Sequence, residues 1–200
     1  MTRLVLASAS PARLATLRAA GVFPEVVVSG VDESVVTTTG PAELATELAT
    51  LKARAVVDRL GADSGAAGWV LGCDSVLELD GEVFGKPRDA DEAARRWRVM
   101  RGRSGVLHTG HCLCELDSGR ELVRGVDTTV HFAALSDEEI DAYVATGEPL
   151  QVAGAFTVDG LGGAFVRGIE GDHHNVVGLS LPVLREMFLD LGVAWPTLWT

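Results

Sequence analysis

Apolar positions along the chain alternate between runs of strand length and stretches at helical spacing. Leu4-Val-Leu-Ala7 is an uninterrupted apolar run, and Ser8 and Ser10 follow at once. This reads as a buried strand over 3–7 that ends in a hydroxyl-bearing turn. Ser10 suits the N-cap, Pro11 suits the first helical position, and Leu14 and Leu17 recur at helical spacing before Gly21. A helix over 11–20 is predicted. Further on, the pattern predicts a strand over 25–29, a loop through 37–40 and a helix over 41–60. Strands over 69–73 and 76–79 come next, with Asp80-Gly81 as a hairpin turn. A helix over 89–100 starts at Asp89, and two long strands over 105–116 and 121–134 are joined at Asp117-Ser-Gly119. Ser136-Asp-Glu-Glu139 is a capping box that opens a helix to about 146. Glycine-rich backbone over 154–163 leads to a short strand near Phe165, and a last helix spans 181–190. The segment 61–68 is the loosest part and reads as a surface connection.

Helices and strands mix here without strict βαβ repetition. The expected fold class is therefore α/β, a long twisted mixed β-sheet flanked by helices, formed by one domain over 1–200 without a separate linker. Hydrophobic residues make up 47% of the chain, ample for a core. No uninterrupted apolar run is long enough to span a bilayer, and the N-terminal pattern is not that of a secretory signal. Three cysteines cannot all pair within one chain, which suits a reducing compartment. The formal net charge of −11 argues against a nucleic-acid polymer as partner. A small polyanion remains compatible, provided a few cations converge and a metal offsets the rest.

Candidate chemistry concentrates at five places. The turn Ser8–Arg13 joins hydroxyls, a helix N-terminus and a guanidinium, which together favour phosphate; an ordinary βα turn with a solvated arginine is the plain alternative. Lys52 lies in an Ala/Leu-rich helix and Lys86 between Gly85 and Pro87. They read either as a snorkelling residue and a loop charge or as phosphate ligands. Asp74 follows an apolar run and suits metal binding or proton acceptance, with an Asx-turn as the alternative. Asp32 and Glu33 are paired oxygen donors of the kind Mg²⁺ or Mn²⁺ prefers, or else a solvated acidic loop. His108, Cys112 and Cys114 share one strand face and His111 the other; this is no C-x-x-C zinc spacing, and partly buried strand side chains explain it. His173-His174 reads as a structural loop pair. Neither a G-x-S-x-G elbow nor a P-loop is present.

Six blocks in order carry a resemblance. They are Ser8-x-Ser10-Pro11-x-Arg13; Val31-Asp-Glu33-Ser34; Leu48-Ala49 with Lys52-Ala53; Gly72-Cys-Asp74-Ser75 with Gly85-Lys86-Pro87; Thr146-Gly-Glu148-Pro149 with Ala153-Gly-Ala-Phe156; and Asn175-Val-Val-Gly178-Leu179. Together they resemble the Maf family of septum-formation-inhibitor-like nucleotide pyrophosphatases. The resemblance implies two lobes around a central cleft and cleavage of nucleoside triphosphates to monophosphate and pyrophosphate with a divalent cation, Mg²⁺ or Mn²⁺. It implies that Arg13, Lys52 and Lys86 hold the triphosphate while Ser8 and Ser10 donate hydrogen bonds. It further implies that Glu33 helps hold the metal, and that Asp74 binds metal or accepts the proton of the attacking water. A homodimer is implied in the same way.

Departures from the family pattern bear on the base. Ala12 matches neither the arginine of pyrimidine-directed members nor the aromatic of methylated-guanine-directed ones. Ser75 looks more like the threonine of the pyrimidine branch, whereas Asp159 replaces its glutamine. An ionised carboxylate accepts hydrogen bonds without donating, so Asp159 leans the reading towards a purine. Gln151 and Val152 stand where many members carry an Asp-Lys pair, so one cation is missing; Arg103 or Arg167 are candidate substitutes. The expected function is triphosphate pyrophosphohydrolysis, in the service of removing non-standard nucleotides or of cell division. The alternative is a non-catalytic nucleotide-binding regulator of septum formation.

Overall fold

The computed structural model describes residues 3–38, 40–61 and 68–199. The connection expected over 61–68 lies almost wholly outside the described residues. The elements are β1 (Leu4–Leu6), α1 (Pro11–Ala19), β2 (Glu25–Val26), α2 (Pro41–Gly61), β3 (Trp69–Leu79), β4 (Glu82–Phe84), α3 (Ala90–Met100), β5 (Ser104–Glu115), β6 (Glu121–Phe132), α4 (Asp137–Ala145), β7 (Val166–Glu170), α5 (His173–Val177) and α6 (Leu181–Asp190). Short 3₁₀ turns link several of them. Seven strands form one mixed sheet in the order β2-β1-β3-β5-β6-β7, with β4 also on β3. β1 is parallel to β2 and β3, and every other pairing is antiparallel.

Local chemistry sets the helix starts. The side chains of Ser10, Asp89, Ser136 and Ser180 each accept from a backbone N–H of the helix that follows, and Ser136 with Glu139 completes the capping box. Asp80 and Gly81 both have positive φ, 54° and 82°, as the tight turn between β3 and β4 requires. Three expectations are corrected. The strands expected over 69–73 and 76–79 are one continuous β3, because β5 pairs with it from Trp69 to Glu78 without a break. The strand expected over 25–29 pairs only at Glu25 and Val26, the last residues that β1 reaches. The pair His173-His174 opens the short helix α5, capped by Asp172, rather than lying in a loop.

Alternation along β3 divides the core. Leu71 and Cys73 pack with Leu17, Leu184, Met187 and Phe188 of α1 and α6. On the same face, Leu77 and Leu79 join Trp97, Phe132, Ile140 and Tyr143 beside α3 and α4. Val70 on the opposite face packs with Ala49, Ala53 and Val56 of α2. That helix sits unusually close to the strands. A Cβ on Gly72 would lie 2.2 Å from the Ala49 carbonyl oxygen, and one on Gly110 would lie 2.2 Å from that of Ala45. The two glycines thus let α2 rest directly on β3 and β5. His111 lies on the opposite face from Gly110, fully buried, where its Nε2 accepts from the Ser180 N–H at 2.9 Å. Burial and nearby Arg13 push its pKa from 6.5 down to about 4.

Two outcomes are expected. Gly110→Ala forces α2 off the sheet and destabilises by about 1–3 kcal/mol or more, read as a lower urea midpoint. His111 stays neutral in the fold while the unfolded chain protonates it, so its contribution is full above pH 6.5 and is lost as pH falls towards about 4. Over that window wild type loses on the order of 3 kcal/mol from this group. His111→Gln should show a correspondingly shallower decline in chemical denaturation across the same pH range.

Candidate active site

The site begins with the uneven coverage of one strand edge. β5 lines one edge of β3 for nearly its whole length. On the other edge β1 covers Trp69–Leu71 and β4 covers Leu77–Leu79. Among the described residues, no strand pairs with that edge over 72–76. Asp74 and Ser75 sit in this gap, in the middle of β3 rather than at a strand end. Being consecutive, they point to opposite faces.

On the α2 face, Asp74 Oδ1 is ion-paired with Lys52 Nζ, and Glu33 Oε1 approaches the same ammonium at 2.7 Å. The side chains of Lys52 and Asp74 are each only 12% exposed, whereas Glu33 is 56% exposed. A half-buried pair crowned by a solvent-facing carboxylate is the result. Glu33 is held at the rim by a 3₁₀ turn over Glu33–Val35, which Asp32 caps from its N-terminal side. Asp32 Oδ1 accepts from the Ser34 N–H and hydroxyl at 3.0 and 2.6 Å. These bonds hold its pKa below the usual carboxylate value and assign it a local structural task.

On the other face, Arg13 reaches in from the first turn of α1. Its Nε donates to the Gly178 carbonyl at 2.7 Å, Nη1 to Ser8 Oγ at 3.1 Å and Nη2 to Ser75 Oγ at 3.0 Å. A guanidinium carries five N–H donors, so two are left for a ligand. Ser8 Oγ also accepts from the Ser10 N–H, and Ser10 Oγ accepts from the Arg13 N–H. Ser75 Oγ bonds Thr109 Oγ1 at 2.9 Å, and Thr109 in turn donates to the Asn175 carbonyl. Asn175 Nδ2 donates to the carbonyls of Leu107 and Val126 and to Thr128 Oγ1. This buried network fixes Arg13 from beneath. Thr109, Asn175 and the Gly178 carbonyl were not assigned roles from the sequence; the Asn175–Leu179 block was the signal available.

The sequence model of the family described as Maf-like protein matches residues 3–191. The chain belongs to the Maf family. It is 60% identical to a nucleoside triphosphate pyrophosphatase of Salinispora tropica, over 99% of this chain and 88% of that protein. It is 56% identical to a protein of the same name from Streptomyces coelicolor, over 98% of this chain and 94% of that one. A solved nucleoside-triphosphatase / dITP/XTP pyrophosphatase of Mycobacterium abscessus aligns over 67% of this chain and 74% of its own, with 20% identity and a TM-score of 0.42.

The remaining Maf-type positions gather less tightly. Lys86 is exposed just after β4, and no hydrogen bond or ion pair to it occurs among the described residues. Its neighbour Gly85 accepts from the Gly154 N–H at 3.1 Å, which ties this turn to the Ala153–Ala155 turn. Ala12 is half-buried in α1, and Asp159 is exposed, with no side-chain partner among the described residues. Glu148 is the hub of the Asp159 segment. It accepts from Tyr143 Oη at 2.9 Å, from Thr157 Oγ1 at 2.5 Å and from the Leu161 and Gly162 N–H groups at 3.0 Å. Burial raises its pKa, but these hydrogen bonds outweigh burial and hold it below the usual value.

Arg103 and Arg167, the candidate substitutes for the missing cation, lie side by side. Arg103 is ion-paired with Asp80, and both arginines open into a separate groove with Ser104, His131 and Phe132. His108 also has its own partners, Asp127 Oδ1 at 2.7 Å and Glu78 Oε2 at 2.9 Å, which part it from the cysteines on its face. Burial pushes the Cys73 thiol up to about 12, so it offers no nucleophile here.

Glu148→Ala leaves the Leu161 and Gly162 N–H groups without their acceptor. It should lower stability by about 2–3 kcal/mol in urea denaturation. Glu148→Gln, which keeps an acceptor, should cost less.

Proposed function

We propose that this chain is a nucleoside triphosphate pyrophosphatase that binds its substrate in the gap along the β3 edge. The observation that carries the reading is the convergence of Lys52, Glu33 and Asp74 on one face of that gap with Arg13, Ser8 and Ser75 on the other. Its relatives' names supply the reaction class, hydrolysis of a triphosphate to monophosphate and pyrophosphate.

Charge supports the assignment. Arg13, Lys52 and Lys86 bring three positive charges, and Glu33 and Asp74 two negative ones. With Lys86 of the turn after β4 counted, the set is cationic by one charge within a chain of net charge −11. One charge falls far short of a triphosphate, which favours a divalent cation travelling with the substrate. The donor set fits that ion: two carboxylates already close enough to share one ammonium, with chemistry suited to Mg²⁺ or Mn²⁺. Glu33 and Asp74 would hold it. When bound, such an ion would neutralise phosphate charge and make the α-phosphorus more electrophilic.

The chain's own groups account for the remaining tasks. Arg13's two spare donors and the Ser10 hydroxyl at the α1 N-terminus face the phosphates. Lys52 moves from its carboxylates towards a phosphate oxygen as substrate arrives, because the more highly charged partner attracts it more strongly. Asp74 Oδ2, which makes no hydrogen bond among the described residues, takes the proton from the attacking water. The bond between the α-phosphorus and its bridging oxygen breaks, and pyrophosphate leaves. Lys86, exposed and without an ion-pair partner among the described residues, meets the leaving group. Asp159, on the segment that Glu148 organises, reads a base edge carrying N–H groups, which favours purines. Clearing non-standard nucleotides before they are polymerised is the role this chemistry suits; the cytoplasm is where it would serve.

Pyrophosphate release from a panel of nucleoside triphosphates, run with Mg²⁺, Mn²⁺ or EDTA, tests the proposal. Release should require the metal, and Asp74→Asn should slow it by about 10²–10⁴-fold with binding retained. Binding without release from any nucleotide would instead assign the chain as a nucleotide-sensing regulator. Cleavage confined to UTP and dTTP would remove the purine assignment.

A further inference from the structure

Away from the β3 edge gap, a second cluster of ligating side chains lies beneath the C-terminal half of α2. Cys112 and Cys114 point to the same face of β5, and Glu121 is the register partner of Cys114 on β6. Cys112 Sγ lies 3.7 Å from Cys114 Sγ, and Cys114 Sγ lies 3.7 Å from Glu121 Oε2. The three ligand atoms all fall within 4.8 Å of one another. No part of the pyrophosphatase reading uses them.

Those separations are informative. A tetrahedral ion with Zn–S about 2.3 Å and Zn–O about 2.1 Å has S···S edges of about 3.8 Å and S···O edges of about 3.6 Å. Both observed contacts match such edges, and the third separation falls within 4.8 Å. The surrounding charge also fits. Two thiolates and a carboxylate around a divalent ion leave one surplus negative charge. Arg54 of α2 answers it, with Nε 3.0 Å from Glu121 Oε2 and Nη2 2.9 Å from Oε1. It is the kind of outer partner that orients a metal-ligating carboxylate. Access is available as well: Cys112 and Cys114 are buried, but the Glu121 side chain is 26% exposed and Arg54 64% exposed.

We propose that Cys112, Cys114 and Glu121 form a binding site for a soft divalent ion of the zinc class, distinct from the hard-ion site of the reaction. Each thiol gives up its proton on binding, the two protons leave to solvent, and the fourth position is taken by water. The ion ties β5 to β6 and, through Arg54, to α2. Two residues before Arg54 the same helix carries Lys52, so the clamp steadies the element that positions the cleft lysine. Sequence spacing concealed this site because the third ligand comes from the next strand.

The test uses the full chain, reduced and stripped of metal, titrated with Cd²⁺ and Co²⁺. Cd²⁺ should produce a thiolate-to-metal charge-transfer band that saturates at one ion per chain. Co²⁺ should give the visible bands of a tetrahedral sulfur-containing site. Cys112→Ser and Cys114→Ser should abolish both signals. Cys73→Ser should keep them, because that thiol packs on the opposite face with Leu71 and Leu113. Excess Mg²⁺ should leave them unchanged, since hard ions avoid thiolates. Glu121→Gln keeps both thiols and should weaken binding by at least about tenfold. It therefore decides the matter even if the serine variants fail to fold. A wild-type protein without the band, a band that survives both serine substitutions in folded protein, or one unaffected by Glu121→Gln would overturn the proposal.

Discussion

The active architecture rests on one constraint, the partial covering of a single long strand. β3 is eleven residues long and paired with β5 almost throughout, yet among the described residues its other edge is covered by strands only at its two ends. Backbone groups at an open edge need partners, and open edges invite binding. Here the edge opens where side chains of both faces can reach it. Asp74 and Ser75, adjacent in sequence, serve opposite faces by strand alternation alone. Each recruits its own helix: Lys52 from α2 meets Asp74, and Arg13 from α1 meets Ser75. The hydrophobic clusters lie to either side, around Leu71 and Leu77, so the gap falls between well-packed regions.

Rigidity in this arrangement is unequally shared. Arg13 is held through three hydrogen bonds, with Thr109 and Asn175 buttressing Ser75 below. α2 is pressed onto Gly72 and Gly110 with no room for a side chain between. Close packing of this kind fixes the α2 backbone from which the Lys52 side chain reaches Asp74. By contrast Glu33, Lys86 and Asp159 are exposed. Arg13 is thus held in place by its own hydrogen bonds, whereas the side chains at the rim face solvent.

Much of the architecture was legible because it is local. Ser10, Asp89 and Ser136 cap helices through bonds to residues three positions away, and the Asp80-Gly81 turn follows from two consecutive left-handed residues. What could not be read was decided by partners far along the chain. β3 is continuous because β5 spans the Asp74-Ser75 step, where the sequence alone suggested a break. The strand over 25–29 is cut short because β1 ends at Leu6. That Arg103 pairs with Asp80, and that Arg103 and Arg167 line one groove, likewise rests on partners distant in sequence.

The sequence by itself determined the element order, the α/β class, and the family, through short ordered motifs whose chemistry is nearly self-contained. It also supplied the charged and hydroxyl-bearing residues that line the gap on β3. Tertiary structure alone decided which of them meet. Lys52 and Asp74 lie 22 positions apart, Arg13 and Ser75 lie 62 apart, and Arg13 reaches the Gly178 carbonyl across 165. Strand period and helix caps say nothing about such pairs, because bringing them together depends on sheet register and on which helix face finds a glycine to rest upon. The same reason hid Glu121 from its two cysteines: a ligand set that spans two strands becomes visible only once those strands are in register.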